Sequence, residues 1–167
     1  MSTNSTIRPA RPADLEAIGR LGAMLVVEHH DFDPLRFIAP QPDTPRRYGE
    51  FLVSQIGASG KLVLVAEVDG AVAGYAYGGI EGNDFLALRG PAGLLYDLVV
   101  DPTRRRQGIG RQLLDAALAE LGRLGAPRVL LFTAEKNRTA QAVFEQSGFR
   151  RTMIEMTREL PDSPALP

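Results

Sequence analysis

The chain has no cysteine and no tryptophan, and its only two histidines, His29 and His30, are neighbours. Without cysteine there can be no disulfide, no thiolate-bound zinc and no cysteine nucleophile. Two adjacent histidines seldom converge on one ion, so no metal is predicted. No apolar run is long enough to cross a bilayer. Met1–Thr6 is polar and is followed by Arg8 and Pro9, unlike a secretory leader, so a cytoplasmic protein that does not engage membranes is expected. There is also no surplus of charge: 19 Lys and Arg face 20 Asp and Glu, for a net −1. Nucleic-acid binding draws on an excess of cations, so it is not expected.

What is present is a globular composition. The 167 residues are 44% hydrophobic and 23% charged, enough for one domain with a sizeable core. The most informative stretch is Leu94–Leu114. It opens as a strand through Leu98, Val99 and Val100, is stopped by Asp101-Pro102, and ends in a helix carrying Ile109, Leu113 and Leu114. Between them, Gly108 and Gly110 allow a tight turn and close approach of a ligand. The first amides of the helix lack internal partners and sit at the positive end of its dipole. Strand, glycine turn and helix start together make an anion site suited to a pyrophosphate. Leu113 stands where a dinucleotide fingerprint needs its third glycine, and no Lys-Ser/Thr follows as a P-loop requires.

The rest of the chain supplies alternating elements. A tail over residues 1–6 precedes a short edge strand at Ile7–Ala10. A first helix begins at Pro12 and runs to about Glu28, with Ile18, Leu21, Leu25 and Val26 on one face. Gly19 and Gly22 weaken it but permit close packing. Glu28, His29, His30, Asp31 and Asp33 are then predicted in an irregular stretch, and a second helix spans Pro45 to about Gly57. Leu62–Val68, Asp69-Gly70 and Ala71–Ile80 read as a hairpin. The helix after Gly110 stops at Gly125. A buried strand is predicted over Val129–Thr133, and Asn137 is placed to cap a last helix through Phe144. Phe149–Leu160 reads as a strand or short hairpin, before a tail at 161–167.

The Arg105-x-x-Gly108-x-Gly110 turn follows Leu98-Val99-Val100-Asp101-Pro102 and precedes Asn137-x-x-Ala140-x-x-x-Phe144-x-x-x-Gly148-Phe149. In that order these blocks resemble the GCN5-related N-acetyltransferases. The resemblance implies an α/β (α+β) fold of the acyl-CoA N-acyltransferase type over residues 7–160, with a mixed, mostly antiparallel sheet and about four helices. It implies acetyl-CoA as cosubstrate and an amine-bearing acceptor, small molecule or protein. Main-chain groups of Leu98, Val99 and Val100 would then pair with the pantetheine arm. The turn Arg105, Arg106, Gln107, Gly108, Ile109, Gly110 and Arg111 would hold the pyrophosphate, aided by Arg104. Asn137 and Phe144 would lie at the thioester. Many family members carry a proton-donating tyrosine where this chain has Phe144, and phenylalanine cannot fill that role.

An alkyl ammonium must lose a proton before it attacks, and the oxyanion that forms must be stabilised. Candidate bases are Asp97 and Tyr96 on the cofactor strand, and Glu28 and His29 after the first helix. The Val100 amide is the candidate oxyanion donor. Because strand residues alternate, only one of Tyr96 and Asp97 should face the acceptor. The expected activity is acetyl transfer to a primary amine by direct attack in a ternary complex. A rival is an acyl-CoA sensor of the same fold without turnover, and a homodimer completed through the last strand is a further expectation.

Overall fold

The computed structural model describes residues 5–161; most of the expected tails, at 1–4 and 162–167, lie outside them. Five strands form one sheet in sequence order: β1 (Thr6–Pro9), β2 (Lys61–Val68), β3 (Ala71–Glu81), β4 (Ala92–Val100) and β5 (Val129–Leu131). The first three pairings are antiparallel and β4–β5 is parallel. Four helices accompany it: α1 (Leu15–Phe32), α2 (Thr44–Gln55), α3 (Ile109–Arg123) and α4 (Arg138–Gln146). The mixed sheet and the helix count agree with the fold expected from the sequence.

Local chemistry accounts for most boundaries. Asp69 and Gly70 both adopt positive φ, at 51° and 77°, the geometry in which an Asp-Gly turn matches strand twist. Asn137 accepts the Ala140 N–H at 3.1 Å and so caps α4. At the far end of α4, Gly148 takes φ 88° and the Phe149 N–H returns to the Phe144 carbonyl.

Two apolar layers sandwich the sheet. On one face lie Ile109, Leu113, Leu114, Ala117 and Leu121 of α3, all essentially inaccessible. The larger of these each contribute roughly 1.5–3 kcal/mol by burial. On the other face Ile18 and Leu21 of α1 and Leu52 of α2 meet Val63, Val65 and Tyr75. The α1 and α2 backbones approach closely at Gly19 and Gly22, as the sequence had allowed. A Cβ at Gly19 would sit 2.2 Å from the Pro45 carbonyl oxygen, and one at Gly22 would sit 2.2 Å from Tyr48 Cδ1. Gly22 therefore makes the slot that seats the Tyr48 ring.

Four expectations need correction. First, α1 does not end near Glu28. No breaker occurs before Pro34, and the Asp33 N–H still bonds to the His29 carbonyl, so Glu28, His29, His30 and Asp31 are helical. Second, α2 stops at Gln55 because Ile56 turns to ψ 122° and Gly57 to φ 75°. Third, β5 is shorter and less buried than Val129–Thr133: it ends at Leu131, and Phe132 is 79% exposed. Fourth, the stretch after α4 forms no strand through Leu160. With only three residues in β5, the neighbouring edge offers a short ladder, and an unpaired extended segment has little to hold it. It is tied instead by Arg36 to Glu155 and by Arg151 to Glu145.

Candidate active site

Because β5 ends opposite Leu95, the edge of β4 from Tyr96 onward has no strand beside it among the described residues. Antiparallel pairing fixes which groups face that opening. The Asp101 N–H bonds to the Ala73 carbonyl at 2.8 Å, so the alternate residues Val99 and Asp97 also turn their main chain to β3. Leu98 and Val100 turn theirs the other way, to the free edge. Of the three strand residues expected to pair with pantetheine, Val99 is thus faced away from the opening. The Val100 carbonyl already accepts a bond from Arg105 Nε at 3.3 Å.

Past this edge the chain makes the glycine turn. Gly108 caps α3 at φ 80°, a conformation that costs a residue with a side chain roughly 1–2 kcal/mol. Gly110 is different: a Cβ there would meet only Val100 Cγ2, at an ordinary 3.5 Å. The fold itself therefore has room for a larger residue at 110. The first bond of α3 is from the Gln112 N–H to the Gly108 carbonyl, leaving Ile109, Gly110 and Arg111 as first-turn amides.

The arginines around the turn are mostly engaged. Arg104 lies 3.7 Å from Asp69, Arg105 lies 3.6 Å from Glu28, and Arg111 pairs with Asp115 at 2.9 Å. Arg106 is exposed with φ 60°. Glu28, a candidate base, is consequently drawn to the turn, away from the cavity described next.

Where β4 and β5 part, a cavity of about 340 Å³ opens. Its walls come from Leu25 and His29 of α1, Phe37 and Ile38 after it, Tyr48 of α2, Tyr96–Leu98 of β4, and Asn137 and Phe144 at α4. Residues far apart in sequence thus meet, including three of the four candidate bases and both thioester candidates. The Phe144 ring also packs on Phe149 at 5.9 Å and on the α3 side of the core.

The strict alternation predicted for Tyr96 and Asp97 fails. Tyr77 pairs with Asp97 while Gly78 pairs with Leu95, so Tyr96 is the extra residue of a β-bulge. Both side chains consequently lie on the α1–α2 side. Asp97 Oδ2 accepts the Tyr48 and Tyr75 hydroxyls, each at 2.9 Å. Asp97 lines the cavity, and its other oxygen, Oδ1, is bonded by neither tyrosine. Burial pushes the Asp97 carboxyl above its ordinary value, partly offset by the two hydroxyl bonds and by any positive charge on nearby His29. Burial also raises both tyrosines beside it. Tyr48 and Tyr75 were not singled out from sequence, and nothing local marks them: the slot at Gly22 and the pairing of β3 with β4 bring them to Asp97.

The other candidates are placed as distinctly. His29 Nδ1 lies 2.9 Å from the Leu25 carbonyl, which can only accept, so Nδ1 carries the hydrogen and the neutral ring leaves Nε2 as an acceptor. The Tyr96 hydroxyl is engaged by Glu81 and, at 3.0 Å, by Lys61 Nζ, while its ring lies 4.8 Å from that of Tyr77. Among the described residues no group of three His, Asp or Glu side chains could hold a metal, and no helix is long and apolar enough to cross a membrane.

Comparison with known proteins agrees with this architecture. Over 65 residues the chain is 42% identical to the mycothiol acetyltransferase of Geodermatophilus obscurus, covering 39% of this chain and 21% of that protein. It thus spans only about a fifth of that relative. Among solved structures, a mutant of the BH1408 protein of Bacillus halodurans superimposes with a TM-score of 0.80 at 23% identity, over 93% of this chain and 99% of that one. An aminoglycoside N-acetyltransferase in complex with CoA gives 0.71 at 20% identity, over 96% and 97%. At such identities these two establish the fold. The acetyltransferase (GNAT) family model matches residues 26–149, a span that includes everything from β2 to α4. With well over half its length accounted for in this way, the chain belongs to the GNAT acetyltransferase family.

Proposed function

We infer that the protein transfers an acetyl group from acetyl-CoA to a primary amine by direct attack in a ternary complex. The observation that carries this reading is the free edge of β4 running into the Gly108–Gly110 turn beside an open cavity. The residues present fit the coenzyme. Leu98 and Val100 offer main-chain groups to an extended amide-bearing arm, as an added strand would use them. The first-turn amides of α3 suit a diphosphate, and Gly110, small where the fold does not require it, lets that group approach the backbone. Bound acetyl-CoA supplies the thioester whose carbonyl the amine attacks.

The protein's own groups divide the remaining work. Asp97 Oδ1 holds the incoming ammonium near the strand opening, and His29 Nε2 takes its proton, directly or through a water. Of the four sequence candidates these two have a free acceptor atom at the cavity, whereas Tyr96 is bonded to Glu81 and Lys61 and Glu28 faces Arg105. The Val100 amide, turned to the free edge, serves the developing oxyanion. Phe144 closes the thioester end as an apolar wall. The absence of a phenol there is tolerable because a thiol of pKa about 8.5 leaves as thiolate far more readily than an alkoxide would.

Substitution at Gly110 tests the assignment. Gly110→Ala should fold, since the neighbour a new Cβ would meet is Val100 Cγ2 at an ordinary 3.5 Å, yet weaken acetyl-CoA binding by crowding the diphosphate. Calorimetric titration with acetyl-CoA reads this directly. Unchanged affinity would remove the turn from the site. Saturable binding by the unaltered protein, with no amine-dependent CoA release, would favour the sensor.

A further inference from the structure

The transferase reading leaves the acceptor open, and the charges around the cavity narrow it. Resting on that reading, the geometry points to a small amine that carries one positive charge and an apolar body, not to a polyamine or an aminoglycoside. Several acidic side chains outside the wall are engaged by partners of their own. Glu81 lies 3.1 Å from Lys61 Nζ, and Glu28 lies 3.6 Å from Arg105. Glu155 is gripped by Arg36, whose Nη2 donates to Oε2 at 2.9 Å. Asp33 Oδ1 accepts the Leu35 and Arg36 amides at 3.1 and 3.3 Å. Asp97 is the only acidic side chain in the wall itself among the described residues. Its Oδ2 is occupied by two tyrosine hydroxyls, so a single oxygen, Oδ1, remains for a cation.

One carboxylate oxygen in an apolar surround matches one ammonium. A second ammonium set against Leu25 and Phe37 would find no second carboxylate in the wall. The same walls favour hydrocarbon. Each methylene moved from water onto them should multiply apparent affinity about fourfold.

The test uses the full chain, with acetyl-CoA binding measured by calorimetry and CoA release followed with a thiol reagent. The acceptors are n-propylamine, n-butylamine, n-pentylamine, spermidine, neamine and a short peptide with a free N-terminus. The expected result is a kcat/KM that climbs about fourfold per added methylene along the alkylamines, with n-pentylamine ahead of spermidine, neamine and the peptide. Ile38→Glu adds a second anion at a side chain 76% exposed, where folding should be undisturbed. It should raise spermidine kcat/KM relative to n-pentylamine about fivefold, the gain from one solvent-screened ion pair. A flat alkylamine series, or preference for spermidine, neamine or the peptide, would overturn the acceptor class while leaving acetyl transfer standing. No acetyl-CoA binding and no CoA release with any acceptor would overturn both.

Discussion

Tyr48→Phe isolates the link between the α1–α2 contact and the chemistry. The phenyl ring keeps the slot at Gly22 and the edge-on contact with Phe51, at 6.3 Å, so packing is preserved. What is lost is the 2.9 Å hydroxyl bond to Asp97 Oδ2. A hydrogen bond to an ionised group contributes roughly 1.5–3 kcal/mol, and one between neutral groups roughly 0.5–1.5. The deficit should therefore depend on pH. Burial holds the folded Asp97 carboxyl above its unfolded value near 3.8, so the native state binds the extra proton and stability from this group falls as pH rises through the folded value. Removing one donor raises the folded value further, so the variant falls away more steeply. Urea denaturation should give the smaller deficit below pH 3.8, where the carboxyl is neutral in both states, and the larger one at pH 8. In the pH dependence of CoA release, any limb that reports Asp97 ionisation should move to higher pH. Equal deficits at both pH values, with an unmoved rate profile, would refute the idea that Tyr48 holds the ionised carboxylate.

Three further outcomes are expected. His29→Gln should lower kcat/KM for amine acetylation by about 10²- to 10⁴-fold, the usual contribution of a general base, while leaving acetyl-CoA affinity unchanged by calorimetry. Asp14→Asn should cost about 3 kcal/mol at pH 7, because Asp14 accepts Arg8 Nη1 at 2.8 Å and the Arg11 N–H at 2.7 Å, and Arg8 would keep Glu67 as its one anionic partner. The Arg8 hydrogen bond holds the Asp14 carboxyl below its ordinary value, so this stabilisation is present above about pH 4 and the gap should narrow in urea melts as pH falls through the folded value. Gly19→Val should destabilise by at least about 1–3 kcal/mol, since its Cβ would press on the Pro45 carbonyl oxygen, a main-chain atom that cannot step aside; a thermal melt of the variant measures it.

Much of the site was legible in order of sequence because its parts are local. The strand Leu98–Val100, the Asp101-Pro102 stop, the positive-φ glycine and the helix after it lie within one short segment, and each is dictated by neighbours in the chain. The Asn137 cap and the Asp69-Gly70 hairpin are of the same kind. Errors fell where the chain lacks a local signal. Nothing local stops α1 at Glu28, so the helix carries His29 and runs on to Phe32, short of the breaker Pro34. The strand predicted after Phe149 had the right composition but finds no pairing partner.

By itself, then, the sequence determined the family, the order of elements as far as α4 and the position of the glycine turn, because short-range sterics and hydrogen bonding dominate there. Tertiary structure alone decided which groups meet at the cavity. A one-residue bulge at Tyr96 put two consecutive side chains on one face, against the two-residue period of a strand. A missing Cβ at Gly22 let α2 bring Tyr48 to Asp97, 49 residues away. A three-residue β5 left the rest of β4 open. Each depends on how distant segments register and pack, and no window along the chain contains that information.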